Sequence, residues 1–456
     1  MNPDHNDDRV YERIFAPRTA ERLGKELTFI FPGSHINFVA RKENEIPDFS
    51  FDPGSKCRVH WDEKTKQIWS FLYSVDTSIP VRAVALLLLQ EPDDFDMQFA
   101  RAYTRVFNAD VLHAYDVLRH RDSWESLMVT RIPRAIATLS PFSTKPFSRW
   151  LKWLQDAMQL RYEGRVFQST LFMTKNLNTF ASVNEDNFVK FDVSQSLNDF
   201  LFREKWGRAI SNNGDVGVLG IGRSGRISGL VSIPHAGIQE DCDMPLPTPL
   251  YVIAKMLVPG TMAFVCTENS DLYVILNNGA VFVKTQGRWH FRNYNSFSKL
   301  MMAFLPEEIS ASILQYSLDL SYKRHGALFC IPDNVDEIQK IVPDYRERIR
   351  PNSALRDAVG SLCIHNDSHR RMLLAVSALD GALVISNEGN VFDAACMIGQ
   401  PEQSRLDQIG LKKFKRFAGA RTTAAWNASV YGTSIKISED GLITLFRYGK
   451  IIGEMG

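Results

Sequence analysis

Two segments near the C-terminus of this 456-residue chain join potential metal or phosphate ligands to glycine and alanine. Those small residues let a backbone approach a nucleotide closely. The first segment is Ala378-Leu379-Asp380-Gly381-Ala382-Leu383-Val384-Ile385, and the second is Gly419-Ala420-Arg421-Thr422-Thr423-Ala424-Ala425. In the first, a carboxylate precedes a Gly-Ala step and an apolar strand, an order that suits a metal-bound phosphate beside a flat base. The same Asp-Gly step is also a common turn dipeptide. In the second, Arg421 is the best candidate for direct phosphate contact, because a guanidinium grips phosphate through two parallel hydrogen bonds.

The elements around these segments can be read from periodicity. Leu411-Lys412-Lys413-Phe414-Lys415-Arg416-Phe417 is a basic amphipathic stretch, expected as a solvated helix face that could also deliver charge to a phosphate. Ile435-Lys436-Ile437-Ser438-Glu439-Asp440-Gly441-Leu442-Ile443-Thr444-Leu445-Phe446 reads as strand, acidic turn and strand. Ser438 to Gly441 is then either a hairpin turn or the source of a second metal ligand. Upstream, apolar positions predict a helix over Ser310 to Tyr322, running directly into the buried strand Gly326-Ala327-Leu328-Phe329-Cys330-Ile331-Pro332. The polar run from Pro332 to Pro351 is expected as a loop or flap.

In order, the Gly-Ala-Leu strand (326–328), Asp-Gly-Ala (380–382), Gly-Ala-Arg followed by Ala-Ala (419–425) and Ser-Glu-Asp-Gly (438–441) resemble the diadenylate cyclase domain of bacteria and archaea. The resemblance covers residues 300–456. It implies a mixed β-sheet flanked by helices, and two such domains face to face, each holding one ATP and a divalent metal, Mg²⁺ or Mn²⁺. Each 3′-hydroxyl attacks the other nucleotide's α-phosphate, giving cyclic di-AMP and pyrophosphate. The family's Asp-Gly-Ala motif falls on Asp380, Gly381 and Ala382, with Asp380 beside the metal and the 3′-hydroxyl. Its Arg-His-Arg motif falls on Arg421, Thr422 and Thr423, and its Ser-Glu-Glu motif on Ser438, Glu439 and Asp440.

The resemblance thus implies Asp380 and Arg421 as catalytic residues and Asp380, Glu439 and Asp440 as metal ligands. It implies Gly326, Ala327, Leu328, Gly381, Ala382, Gly419, Thr422, Thr423 and Ser438 as the nucleotide-binding set. Thr422 and Thr423 stand where the family carries an imidazole and a second guanidinium. Losing one preorganised donor to a developing oxyanion costs roughly 10²- to 10³-fold in rate, so the alternative is a degenerate sensor that binds a nucleotide or cyclic dinucleotide. Replacement charge could come from Lys412, Lys413, Lys415, Arg416, His365, His369, Arg370 or Arg371.

Ahead of this domain, a mixed α/β N-terminal region (1–165) and a helix-and-hairpin region (166–296) are expected as a sensor or regulatory part, which makes the chain α/β (α+β) as a whole. Leu27 to Phe31 and Ile68 to Tyr73 read as strands, and residues 95–119 and 147–162 as helices, the second stopped by Gly164. Asn277-Asn278-Gly279 predicts a hairpin. Gly220-Ile221-Gly222-Arg223-Ser224-Gly225 matches a dinucleotide fingerprint, but an apolar strand rather than a helix follows it, so a hairpin is expected there too. No triad or zinc-site spacing occurs in the region.

With 53 Lys and Arg against 52 Asp and Glu, no global field draws the chain to nucleic acid, and an anion site must be local. The six cysteines form no CxxC pair, which fits reduced thiols. The acidic start, residues 1–8, is unlike a signal peptide, and no aliphatic run reaches the roughly 20 residues of a membrane span. A cytoplasmic protein is expected.

Overall fold

The computed structural model describes residues 17–40, 43–47, 49, 57–73, 80–113, 121–162, 164–212, 214–234, 245–343 and 354–456. The chain is a mixed α+β protein that divides into two compact units. Unit 1 takes in Met1–His235 and Leu250–Asn293, and unit 2 Ala236–Pro249 and Tyr294–Gly456. Residues 1–165 and 166–296, separated on sequence grounds, fall together in unit 1 except for the last three and the 236–249 stretch. One hydrophobic core, from Ala20 to Phe291, runs through both. No described helix is long and apolar enough to cross a membrane, and no described cysteine forms a disulfide. Residues 1–8, the end of the expected helix at 114–119, and 344–351 of the expected flap lie outside the described residues.

Unit 1 holds a four-stranded antiparallel sheet and an eight-stranded sheet in which only Ser169–Thr174 and Val216–Ile221 run parallel. Strand Gln67–Tyr73 and the Leu272–Leu276/Val281–Thr285 hairpin form where residue patterns place them. Residues 220–225 close the hairpin Val216–Ile221/Arg226–Ser232, with no helix after the glycines. Leu27 to Phe31 is not a strand. Ala20, Leu23 and Leu27 make one buried face of the helix Pro17–Leu27, and Ile30 and Phe31 bond back to Leu27 as a closing turn. The helix expected at 147–162 is Thr144–Ala157, ending before Gly164 because Arg161–Tyr162 pairs with Arg165–Val166.

A buried ion cluster ties three unit 1 helices together. Arg131, fully buried, donates to Glu26 at 2.8 Å and Asp110 at 2.7 Å, and Arg134 adds two bonds to Asp110 at 2.7 Å. The Tyr103 hydroxyl donates to Glu26 at 2.7 Å. Each buried charge thus has partners, as burial demands.

Unit 2 runs α1 (Tyr294–Met302), α2 (Glu307–Tyr322), β1 (Ala327–Pro332), α3 (Ile338–Ile341), α4 (Ala354–Val359), α5 (Arg370–Ser377), β2 (Ala382–Ile385), β3 (Val391–Cys396), α6 (Gln403–Gln408), α7 (Ala420–Ser429), β4 (Gly432–Ile437), β5 (Ile443–Arg447) and β6 (Lys450–Met455). The strands form one mixed sheet in the order β3-β2-β1-β4-β5-β6, with β1 and β2 parallel and every other pair antiparallel. Along β1, Leu328 and Cys330 enter a core with Trp426 of α7, while the alternate Phe329 and Ile331 are buried too. Both faces of β1 are therefore covered, which is why it reads as an unbroken apolar run.

Two expectations for unit 2 change. Residues 335–341 are helical rather than loop, because the Asn334 side chain caps the turn and Ile338 and Ile341 are buried. Leu411 to Phe417 is not a helix but an extended strap. Its rings hold it down: Phe414 meets Trp426 edge-on at 5.6 Å, and Phe417 meets Phe446 at 6.4 Å.

Candidate functional site

The register of the unit 2 sheet gathers the chemistry-bearing segments at one end. β1 and β2 run parallel with Phe329 beside Leu383, so Gly326-Ala327 and Asp380-Gly381 enter the sheet side by side. β4 is antiparallel to β1 and pairs Lys436 with Leu328 and Ile437 with Ala327. Its end, and Ser438 after it, therefore arrive at the same edge. α7 leads into β4 and packs on β1, β4 and β5, which brings its first turn to that edge as well.

Two glycines stand there at points of close approach, the first of them required by its backbone conformation as well. Gly381 has φ +111°, and a Cβ on it would meet the Ala395 backbone of β3. A Cβ on Gly326 would run into the Arg421 guanidinium. Arg421 also lies 3.7 Å from Glu439, so the Gly-Ala-Leu, Gly-Ala-Arg and Ser-Glu-Asp segments meet through one side chain. Glu439 is 77% exposed and Arg421 30%, which makes this a weak, solvent-screened pair that a ligand could replace.

The two threonines have different surroundings. The Thr423 hydroxyl accepts from the Phe417 N–H at 3.0 Å and reaches the Gly419 carbonyl at 3.2 Å, fixing the strap to the start of α7. Gly419 itself is extended at φ −96°, ψ 134° and gives α7 no side-chain cap. Thr422 instead receives a hydrogen bond from Lys436 Nζ at 3.2 Å. Burial pulls the Lys436 ammonium below its ordinary pKa; Glu454 and Asp440 oppose that shift and Arg421 reinforces it. Lys436 was not singled out from sequence, because a lone lysine in an apolar strand gives no pattern.

Ser438 to Gly441 closes the β4–β5 hairpin, with Ser438 N–H bonded to Leu442 at 2.9 Å and the Asp440 side chain accepting from Leu442 N–H at 3.3 Å. Asp380 is exposed between α5 and β2. Among the described residues no three His, Cys, Asp or Glu side chains cluster as a preformed metal site. Asp380 supplies a hard, accessible oxygen of the kind Mg²⁺ takes when most of its other ligands are water and substrate phosphate.

The charges expected to compensate for Thr422 and Thr423 are mostly engaged elsewhere. His365 bonds Ser312 at 3.1 Å, and His369 accepts from the Cys363 N–H at 3.1 Å. Arg370 donates to Asp319 at 2.5 Å. Lys415 and Arg416 lie over the rings of Phe417 and Phe414. Lys412, Lys413 and Arg371 are exposed.

The chain matches no known protein family and no curated protein. Several solved structures align with part of it, among them the following two. A hypothetical membrane spanning protein from Bacillus cereus is 15% identical over 36% of this chain and 73% of its own, with a TM-score of 0.25. A double mutant of DacA from Staphylococcus aureus is 19% identical over 33% of this chain and 88% of its own, with a TM-score of 0.23. Similarity at that level carries no weight for fold or activity.

Proposed function

We propose that unit 2 is a nucleotidyltransferase of the diadenylate cyclase type that condenses two ATP into cyclic di-AMP. The observation that carries this reading is the contact of Arg421 with Gly326 on one side and Glu439 on the other, which unites three of the four ordered segments. The fourth, at Asp380, enters the sheet beside the first. Arg421 would grip phosphate, with Gly326 leaving room for its guanidinium beside the start of β1.

In the reaction each 3′-hydroxyl oxygen forms a bond to the other nucleotide's α-phosphorus, the α–β anhydride bond breaks, and pyrophosphate leaves. Asp380 would hold the divalent ion next to the attacking 3′-hydroxyl. Mg²⁺ or Mn²⁺, when bound with the triphosphate, supplies charge neutralisation at the transferring group. Because each nucleotide attacks the other, two copies of unit 2 must face each other, and unit 1 would serve as the regulatory part.

A second reading, a nucleotide sensor without turnover, is favoured by the Thr423 hydroxyl, which is committed to the backbone of Phe417 and Gly419. Incubating the purified chain with ATP and Mn²⁺ or Mg²⁺ separates the two. The cyclase reading expects cyclic di-AMP, abolished by Asp380→Ala. ATP binding without product under either metal would sink it in favour of the sensor.

A further inference from the structure

We infer that Lys436 is a second phosphate-binding cation of this site, paired with Arg421 and presented through Thr422, and that the two cations together take the polyphosphate of the nucleotide. This rests on the nucleotide reading of unit 2 and adds to it a residue outside all four ordered segments.

The placement follows from register. Ser434 and Lys436 lie on the same face of β4, two residues apart. The Ser434 hydroxyl bonds the Ala425 carbonyl of α7 at 2.6 Å, and Lys436 Nζ bonds the Thr422 hydroxyl, three residues earlier on the same helix, at 3.2 Å. The face that packs α7 onto the sheet therefore delivers an ammonium to the first turn of α7, where Arg421 also projects. Across the sheet, Lys436 sits in a row with Leu328 of β1, Thr444 of β5 and, beyond it, Glu454 of β6.

Two cations on separate elements have thus been brought to the end of a helix that already carries partial positive charge, and no acidic residue stands in that helix's first turn. The neighbouring acids are Glu439 at 3.7 Å from Arg421, and Asp440 and Glu454, which act on Lys436 electrostatically. Glu454 also accepts from the Thr444 hydroxyl at 3.2 Å. Arg421 opposes the charge on Lys436 less strongly than Glu454 and Asp440 support it, and an anion bridging Arg421 and Lys436 would pair both cations at once. A polyphosphate spans such a pair, and Thr422 adds a neutral hydroxyl donor.

The arrangement also accounts for Thr422. The position that lacks an imidazole holds a hydroxyl that orients a lysine from the neighbouring strand, so positive charge is restored from β4 rather than from α7.

The test is calorimetric titration of the full chain with ATP and, separately, with adenosine, comparing the wild type with Lys436→Met and Lys436→Arg. Loss of one charge-assisted contact corresponds to about a 10- to 100-fold weaker ATP affinity. The inference expects that loss for Lys436→Met, unchanged adenosine affinity, and recovery in Lys436→Arg. Equal ATP affinity in wild type and Lys436→Met overturns this inference and leaves the nucleotide reading standing. Failure of the wild type to bind either ligand overturns both. Should Lys436→Met fail to fold, amine-reactive labelling of the wild type decides. Inorganic pyrophosphate should protect Lys436 from the reagent, and labelling unaffected by pyrophosphate overturns the inference.

Discussion

The Arg421 guanidinium occupies the space that a side chain on Gly326 would fill. The two residues lie on different elements, the first turn of α7 and the approach to β1, and neither explains itself alone. A glycine before a buried strand is ordinary, and so is an arginine at a helix start. Their contact means that the glycine leaves the space in which the guanidinium lies.

Gly326→Ala should therefore act like a mutation of Arg421. The new methyl displaces the guanidinium, and ATP affinity should fall about 10- to 100-fold, the loss of one charge-assisted contact. Because both changes remove one feature, Gly326→Ala combined with Arg421→Ala should cost little more than either alone. A double-mutant cycle on ATP affinity reads this, and additive losses would contradict the contact's role.

Thr423 and Thr422 should separate by phenotype. Thr423→Val removes the bonds that hold the strap to the start of α7 and should destabilise the fold by about 0.5–1.5 kcal/mol, with little change in nucleotide affinity. Thr422→Val should leave the melting temperature near that of the wild type and weaken ATP binding. The reverse pattern in thermal melts and titrations would contradict the assignment of the two hydroxyls.

Gly381→Ala should be more damaging than any of these to folding. It places a side chain at φ +111° and against the Ala395 backbone of the neighbouring strand, so neither rotation nor side-chain repacking relieves it. A destabilisation of at least about 1–3 kcal/mol follows from backbone strain alone. A melting temperature equal to the wild type's would show that the Asp380-Gly381-Ala382 turn is not built as described.

Alkaline titration offers an independent check. Burial pushes Tyr316 up to about 12, and Tyr73 to about 12 as well, in each case ahead of smaller charge effects. Both phenols keep their protons in the folded state above pH 10, where the unfolded chain loses them. The folded state therefore binds more protons, and stability falls as pH rises from about 10 through about 12. Absorbance at the tyrosinate band should show these two tyrosines titrating late; full ionisation of all tyrosines near pH 10 without unfolding would contradict their burial.

Parts of the fold and of the site were legible in residue types alone. Asn278-Gly279 and the 220–225 glycines read correctly as hairpins, because turn chemistry is local and needs no tertiary context. The buried β1 and β2 and the Ser438–Gly441 turn were equally visible. Leu411 to Phe417 misled, since apolar residues at every third position among basic ones fit a helix face, whereas Phe414 and Phe417 are anchored by Trp426 and Phe446 across the fold. Lys436 was invisible for a related reason. Its partner Thr422 lies on another element, and only the β4 register and the packing of α7 show that they touch.

On the proposed reading, the sheet end where Arg421 lies against Gly326 and Asp380 enters beside it binds ATP through its phosphates. Calorimetric titration of ATP with Mg²⁺ into the full chain, beside an Arg421→Ala variant with an unchanged circular dichroism spectrum, tests it most directly. The predicted result is saturable binding by the wild type, weakened about 10- to 100-fold in the variant. No binding by the wild type, or equal binding by the folded variant, would contradict it.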